Sequence, residues 1–182
     1  NGYMPWSILA LTFTNKAARE MKERIARQVG AERARGLWMG TFHSIFSRIL
    51  RTEAATLGFS ANFTIYDASD SKNLVKSIIK EMQLDEKVYK PGSVLGRISN
   101  AKNHLVLPDR YASDMEILQQ DSAAKMPAIR DIYKQYWNRC RQSDVMDFDD
   151  LLVYTYLLFQ EHPEVRAKYA GQFRYVLVDE YQ

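Results

Sequence analysis

Cysteine is nearly absent: the 182 residues hold one, Cys140. A lone thiol excludes an internal disulfide framework and suits a reducing, cytoplasmic setting. Long apolar runs are missing as well, so no segment approaches membrane-spanning length, and no basic-then-apolar leader opens the chain. Charge of one sign is scarce: Lys and Arg number 25 against 22 Asp and Glu, a formal net charge of +3, too small to demand a polyanionic partner. Internal repeats and low-complexity linkers are not found. What is left, 46% apolar and 26% charged, is an ordinary globular composition with enough residues to bury a core, as one domain or as one domain with an insertion.

The charge that is present is unevenly placed. Between Asn15 and Arg51 nine basic residues face three acidic ones. This segment also carries two strand-loop-helix patterns. Ser7–Thr12 reads as a short apolar strand that runs into Phe13, Thr14 and Asn15. A helix follows over 16–29, with Ala17, Met21, Ile25 and Val29 at four-residue spacing and Thr14 or Asn15 as its N-cap. After a loop over 30–36, Leu37-Trp38-Met39 is a second strand that stops at Gly40-Thr41-Phe42-His43-Ser44, and a helix over about 44–55 buries Ile45, Phe46, Ile49 and Leu50. Two such units in succession imply parallel βαβ connectivity, with both polar loops on one edge of a sheet. A basic surface with a ring such as Phe13 at a loop tip suits single-stranded nucleic acid, phosphates tracking the cations and bases stacking on the ring. Residue types alone fit a solvated helix face with Phe13 and Phe42 in the core better.

The middle of the chain is helical. Phe63–Tyr66 reads as a short edge strand, and Asp67–Asp70 caps a helix to about Met82 with Leu74, Val75, Ile78, Ile79 and Met82 on its apolar stripe. Helices are then expected over 93–103, near 112–119 and, as one long element, over 123–141, with no strand between 68 and 145. Trp137 and the tyrosines beside it fall at helical spacing and read as core. The segment Asp147-Phe148-Asp149-Asp150 opens another apolar helix. Its carboxylates suit the macrodipole of a first helical turn, and three so close could instead hold a metal. Pro163 begins a last helix, which Gly171 ends.

Tyr175-Val176-Leu177-Val178 has no polar alternation, the pattern of a central parallel strand buried on both faces. Asp179 and Glu180 follow where that strand would end, the edge at which open α/β sheets bind ligands. A carboxylate there can hold Mg²⁺ through its water shell and its neighbour can orient an attacking water, the Walker B arrangement. A strand end followed by a solvated acidic turn has the same residues.

Taken together, ILALTFTNKAAREMKERI, GTFHSIFSRILR, FTIYD, DFDDLL and VLVDEYQ, in this order and at these spacings, resemble UvrD/PcrA/Rep-type superfamily-1 DNA helicases over essentially the whole chain. The resemblance implies an α/β fold: a partial RecA-like (P-loop NTPase) parallel sheet, residues 1–60 and 146–182, with a mainly helical inserted subdomain over 61–145. It implies an ATP-dependent helicase that moves along single-stranded DNA and separates duplex, with ATP and Mg²⁺ as cofactors and single-stranded and duplex DNA as partners. Phe13 would stack on a base, and Thr14, Asn15, Thr41 and His43 would contact the strand. Asp179 would hold Mg²⁺ through water, Glu180 would be the catalytic base and Gln182 would help sense the γ-phosphate. Asp147, Asp149 and Asp150 would be structural, or would couple the insertion to the motor.

One departure stands out. No Gly-x-x-x-x-Gly-Lys-Ser/Thr segment occurs, and the nearest glycine pair, Gly30 and Gly36, is followed by Leu37. The family's phosphate loop lies upstream of the strand at Ser7 and its second motor domain lies downstream. The sequence therefore reads as a helicase fragment that is inactive in isolation. Two other readings use the same motifs: a helicase-nuclease subunit of the RecB/AddA type, and a non-catalytic single-strand-binding module.

Overall fold

In the computed structural model, which describes residues 2–179, Ile8–Thr12 forms strand β1, buried along Leu9–Thr12. Helix α1 (Asn15–Val29) follows after two residues, because the Thr14 hydroxyl accepts the Ala17 N–H at 3.1 Å and so satisfies one of the orphan donors of the first turn. Gly30, at φ 88°, ends it, and a five-residue helix, α2 (Ala31–Arg35), occupies what sequence pattern reads as loop. Strand β2 (Trp38–Thr41) runs parallel to β1, and Thr41 caps helix α3 (Phe42–Thr52) by accepting the Ser44 N–H at 3.2 Å. Gly40 is required here: a Cβ would lie 2.5 Å from Ser44 Oγ, which is itself held by the Thr41 carbonyl at 3.0 Å.

The next stretch is built differently. Strand β3 (Thr64–Tyr66) precedes α4 (Ala68–Glu81), α5 (Pro91–Asn103), α6 (Pro108–Ser113), α7 (Met115–Ala123) and α8 (Ile129–Gln142), and strand β4 (Val145–Asp147) leads into α9 (Phe148–Glu161). β3 and β4 pair in parallel, Thr64 with Val145 and Tyr66 with Asp147, as a separate two-stranded sheet. β4 was not expected: at three residues it is too short to show a period. The single helix over 123–141 is also corrected. Pro127 disfavours helical geometry at Met126, Lys125 sits at φ 60°, and α8 starts only at Ile129. Likewise the helix near 112–119 is two, divided at Asp114, whose carboxylate accepts the N–H groups of Glu116 and Ile117.

Four of these helices, α4, α5, α7 and α8, are followed by a non-glycine residue in the left-handed region: Gln83, Leu105, Lys125 and Asp144. After the first three the next N–H reaches back to a carbonyl five residues earlier, such as Val106 to Ala101 at 2.8 Å, the Schellman closure that normally recruits glycine. The core of this unit gathers Val75, Ile79, Val94, Ile98, Ile132 and Tyr136 among others, all inaccessible to solvent.

After α10 (Pro163–Gln172), strand β5 (Tyr175–Val178) adds to the free side of β1, giving the parallel order β2-β1-β5. The central strand is therefore β1. β5, expected to be central and buried on both faces, pairs on one side only among the described residues, and all four of its side chains are exposed, Leu177 to 55%. Its apolar run records what the residues are suited to bury, and residues 2–179 do not supply that cover.

The chain divides into two compact units, Asn1–Leu57 with Tyr154–Gln182, and Gly58–Val153. The second boundary falls within α9, so β4 and the start of that helix lie with the helical unit, whereas the motif pattern assigns 146–153 to the other.

Candidate nucleotide and nucleic-acid site

The parallel register aligns three strand ends. Thr12 pairs with Thr41, and Leu11 pairs with both Gly40 and Val178, so β1, β2 and β5 finish level with one another. Each end is fixed by hydrogen bonds. Thr14 and Thr41 cap α1 and α3, and the Asp179 N–H donates to the Leu11 carbonyl at 2.9 Å, holding the first residue after β5 against the central strand. Phe13, Thr14, Asn15, Thr41, His43 and Asp179 thus come together along the carboxyl edge of one sheet. Glu180 and Gln182 lie outside the described residues.

Phe13 is 56% exposed, with its ring centroid 4.9 Å from that of Phe42, which in turn lies 5.9 Å from Phe46. The ring rests against an aromatic row and the residue stays more than half exposed, the accessibility that a stacked base needs. Thr14 and Asn15 are exposed, His43 is exposed in the first turn of α3, and Thr41 is buried. The two threonine oxygens already accept cap hydrogen bonds, so an outside ligand would meet the O–H each has left to donate and the remaining helix-start N–H groups.

Residue types did not single out Thr12. It is fully buried at the end of β1, and its hydroxyl has no hydrogen-bond partner among the described residues. A buried unpaired hydroxyl costs free energy, and this one stands between the ends of β2 and β5. The visible signal was a polar residue closing an apolar strand.

The Asp147 segment does other work. Asp147 Oδ1 accepts the Asp150 N–H at 2.8 Å while Asp150 Oδ2 accepts the Asp147 N–H at 3.0 Å, a reciprocal capping box for α9. Asp67 and Asp70 make the same box at the start of α4. Asp149 accepts from Ser99 Oγ at 2.7 Å. Lys102, with a fully buried side chain, places Nζ 2.8 Å from Asp147 Oδ2 and 2.8 Å from Asp150 Oδ1, and the Tyr136 hydroxyl donates to Asp147 at 2.7 Å. Burial opposes charge on Lys102, yet the two carboxylates outweigh it and hold its pKa well above the ordinary value. The carboxylates are engaged as caps and ion-pair partners, and among the described residues no group of three His, Cys, Asp or Glu could hold a metal.

Asp179 does fit one mode of Mg²⁺ binding. This ion keeps much of its water and is commonly held by one or two carboxylates together with substrate phosphates, not by an all-protein cage. The exposed carboxylate of Asp179, whose backbone is held at the strand ends by the Leu11 carbonyl, meets that requirement. No helix among the described residues is long and apolar enough to cross a membrane.

Against known families, the model of the UvrD/REP helicase N-terminal domain matches residues 1–182. The chain belongs to that family. Among curated relatives, the ATP-dependent DNA helicase PcrA of Leuconostoc citreum is 45% identical over 98% of this chain and 23% of its own length. PcrA of Staphylococcus aureus strain Mu50 is 43% identical over the same shares, and that of Staphylococcus epidermidis is 43% identical over 98% of this chain and 24% of its own. The chain thus spans about a quarter of the length of the curated relatives it matches. The short parallel sheets and many helices are those of a partial RecA-like domain in a UvrD/REP helicase.

Proposed function

We propose that this chain is part of the first motor domain, with its helical insertion, of an ATP-dependent DNA helicase that moves along single-stranded DNA and unwinds duplex. The observation that carries the reading is the level ending of β1, β2 and β5, which supports one rim for two ligands. Along it, Phe13 stacks on a base while Thr14, Asn15, Thr41 and His43 contact the strand. Asp179 orients the hydrated Mg²⁺ that accompanies ATP, Glu180 takes a proton from the attacking water, and Gln182 contacts the γ-phosphate. Mg²⁺, when bound with ATP, neutralises charge on the phosphate oxygens. Both ligands bear on β1, through Phe13 after its end and through Asp179 bonded to its Leu11 carbonyl, which gives them one strand in common. These 182 residues contain no phosphate loop and in isolation do not turn over ATP.

The test uses the full-length protein and Glu180→Gln. Removing a general base should cost roughly 10²–10⁴-fold in DNA-stimulated ATP hydrolysis, while affinity for oligo(dT) in the presence of Mg-ATP is kept. Hydrolysis at the wild-type rate in this variant would overturn the assignment.

A further inference from the structure

A second recess lies in the same unit, behind the strand ends. A cavity of about 430 Å³ opens where the middle of α1, the helix α2, the start of β2 and the middle of α3 meet. Ala26, Leu37 and Met39 form apolar parts of its lining, and Lys22, Arg35 and Arg48 supply three positive charges. Among the described residues no carboxylate lines it. The Arg48 guanidinium lies 3.6 Å from the centroid of the Trp38 ring, and Trp38 is wedged edge-on against Phe173 at 5.1 Å and Tyr169 at 6.5 Å. Arg48 is therefore presented in a held position, at low entropic cost to a ligand. Lys22 and Arg48 sit about two helical turns from the starts of α1 and α3, roughly 10 Å behind the strand ends, so the recess is distinct from the proposed DNA rim.

We propose that this cavity docks an acidic segment of a partner protein, with an aliphatic side chain on the apolar lining and Asp or Glu carboxylates at Lys22, Arg35 and Arg48. Arg meets a carboxylate through two parallel hydrogen bonds, and an apolar centre with a charged rim is the ordinary anatomy of a protein interface. Charge complementarity alone would also admit a nucleic-acid strand. The lining disfavours that occupant: among the described residues no ring lines the recess to stack a base, whereas alkyl carbons from Ala26, Leu37 and Met39 do.

The experiment uses the full-length protein and a fluorescein-labelled peptide in which Leu is flanked on both sides by pairs of Glu, with the Glu→Gln version as control and fluorescence anisotropy as readout. The acidic peptide should bind at least about tenfold more tightly than its Gln counterpart, a difference of about 1.4 kcal/mol. Lys22→Glu with Arg35→Glu, both at exposed positions, should abolish that preference and leave the affinity for oligo(dT) and the thermal midpoint unchanged. The single Arg35→Gln variant should reduce the preference without reversing charge. Equal binding of the two peptides, or no binding of either, overturns the proposal. Loss of oligo(dT) affinity in the double variant also overturns it and assigns the recess to the path of the strand.

Discussion

Lys102 Nζ lies 2.8 Å from Asp147 Oδ2, with the lysine side chain inaccessible to solvent. Removing one partner of a buried pair leaves an uncompensated charge, a loss of about 3–5 kcal/mol. Lys102→Met should cost that much in urea unfolding of the chain, since Asp147 and Asp150 would both be left buried without a cation. A loss under about 1 kcal/mol would show that water or a rearranged side chain replaces the ammonium.

The same network sets a pH response. Burial, reinforced by the charge of Asp147, pushes Asp150 from 3.8 up to about 6 despite Lys102. Between those values the folded chain keeps a proton that the unfolded chain has lost, so this group's contribution to stability falls as pH rises. For Asp147 burial acts upward, but Lys102 and the hydrogen bonds from Lys102 and Tyr136 hold it below 3.8. Its stabilisation is present above 3.8 and is lost only as pH falls through the lowered value. Asp150→Asn should therefore flatten the decline in thermal midpoint from about pH 4 to about pH 6, which a series of melts across that interval reads directly. Parallel curves for the two proteins would contradict the assignment.

At the end of β2 the constraint is steric. Gly40→Ala places a methyl 2.5 Å from Ser44 Oγ, and that hydroxyl is tied to the Thr41 carbonyl. A loss of about 1–3 kcal/mol, the usual cost of overpacking, is expected. Ser44→Ala in the same chain should recover most of it, because the next nearest atom, Ser44 Cβ, is at 3.7 Å. If the double variant melts no higher than Gly40→Ala alone, the clash is not the cause.

Much of this arrangement is legible in the sequence, and the reasons differ by element. β1, α1, β2 and α3 announce themselves because apolar runs meet capping threonines, and α4 does so through its Asp67 box and its stripe of Val75, Ile78 and Ile79. Asp147 and Asp150 read as helix-start residues and are. The partner that makes them matter, Lys102, is not legible there, since nothing local marks a lysine whose head group is buried by Tyr136 and α9's first turn. β4 escaped because pairing, not periodicity, defines a three-residue strand. β5 was recognisable as a strand, but its place in the sheet was not, because an apolar run states a need for cover and not who provides it.

The central claim is that the ends of β1 and β2 form the DNA-binding rim, and Phe13 tests it most directly. Base stacking on a ring is worth about 1–3 kcal/mol by alanine substitution, so Phe13→Ala in the full-length protein should weaken oligo(dT) binding by roughly 5- to 150-fold. Val29→Ala, at the far end of α1 and 44% exposed, should leave the affinity unchanged. Equal affinities for wild type and Phe13→Ala would contradict the account.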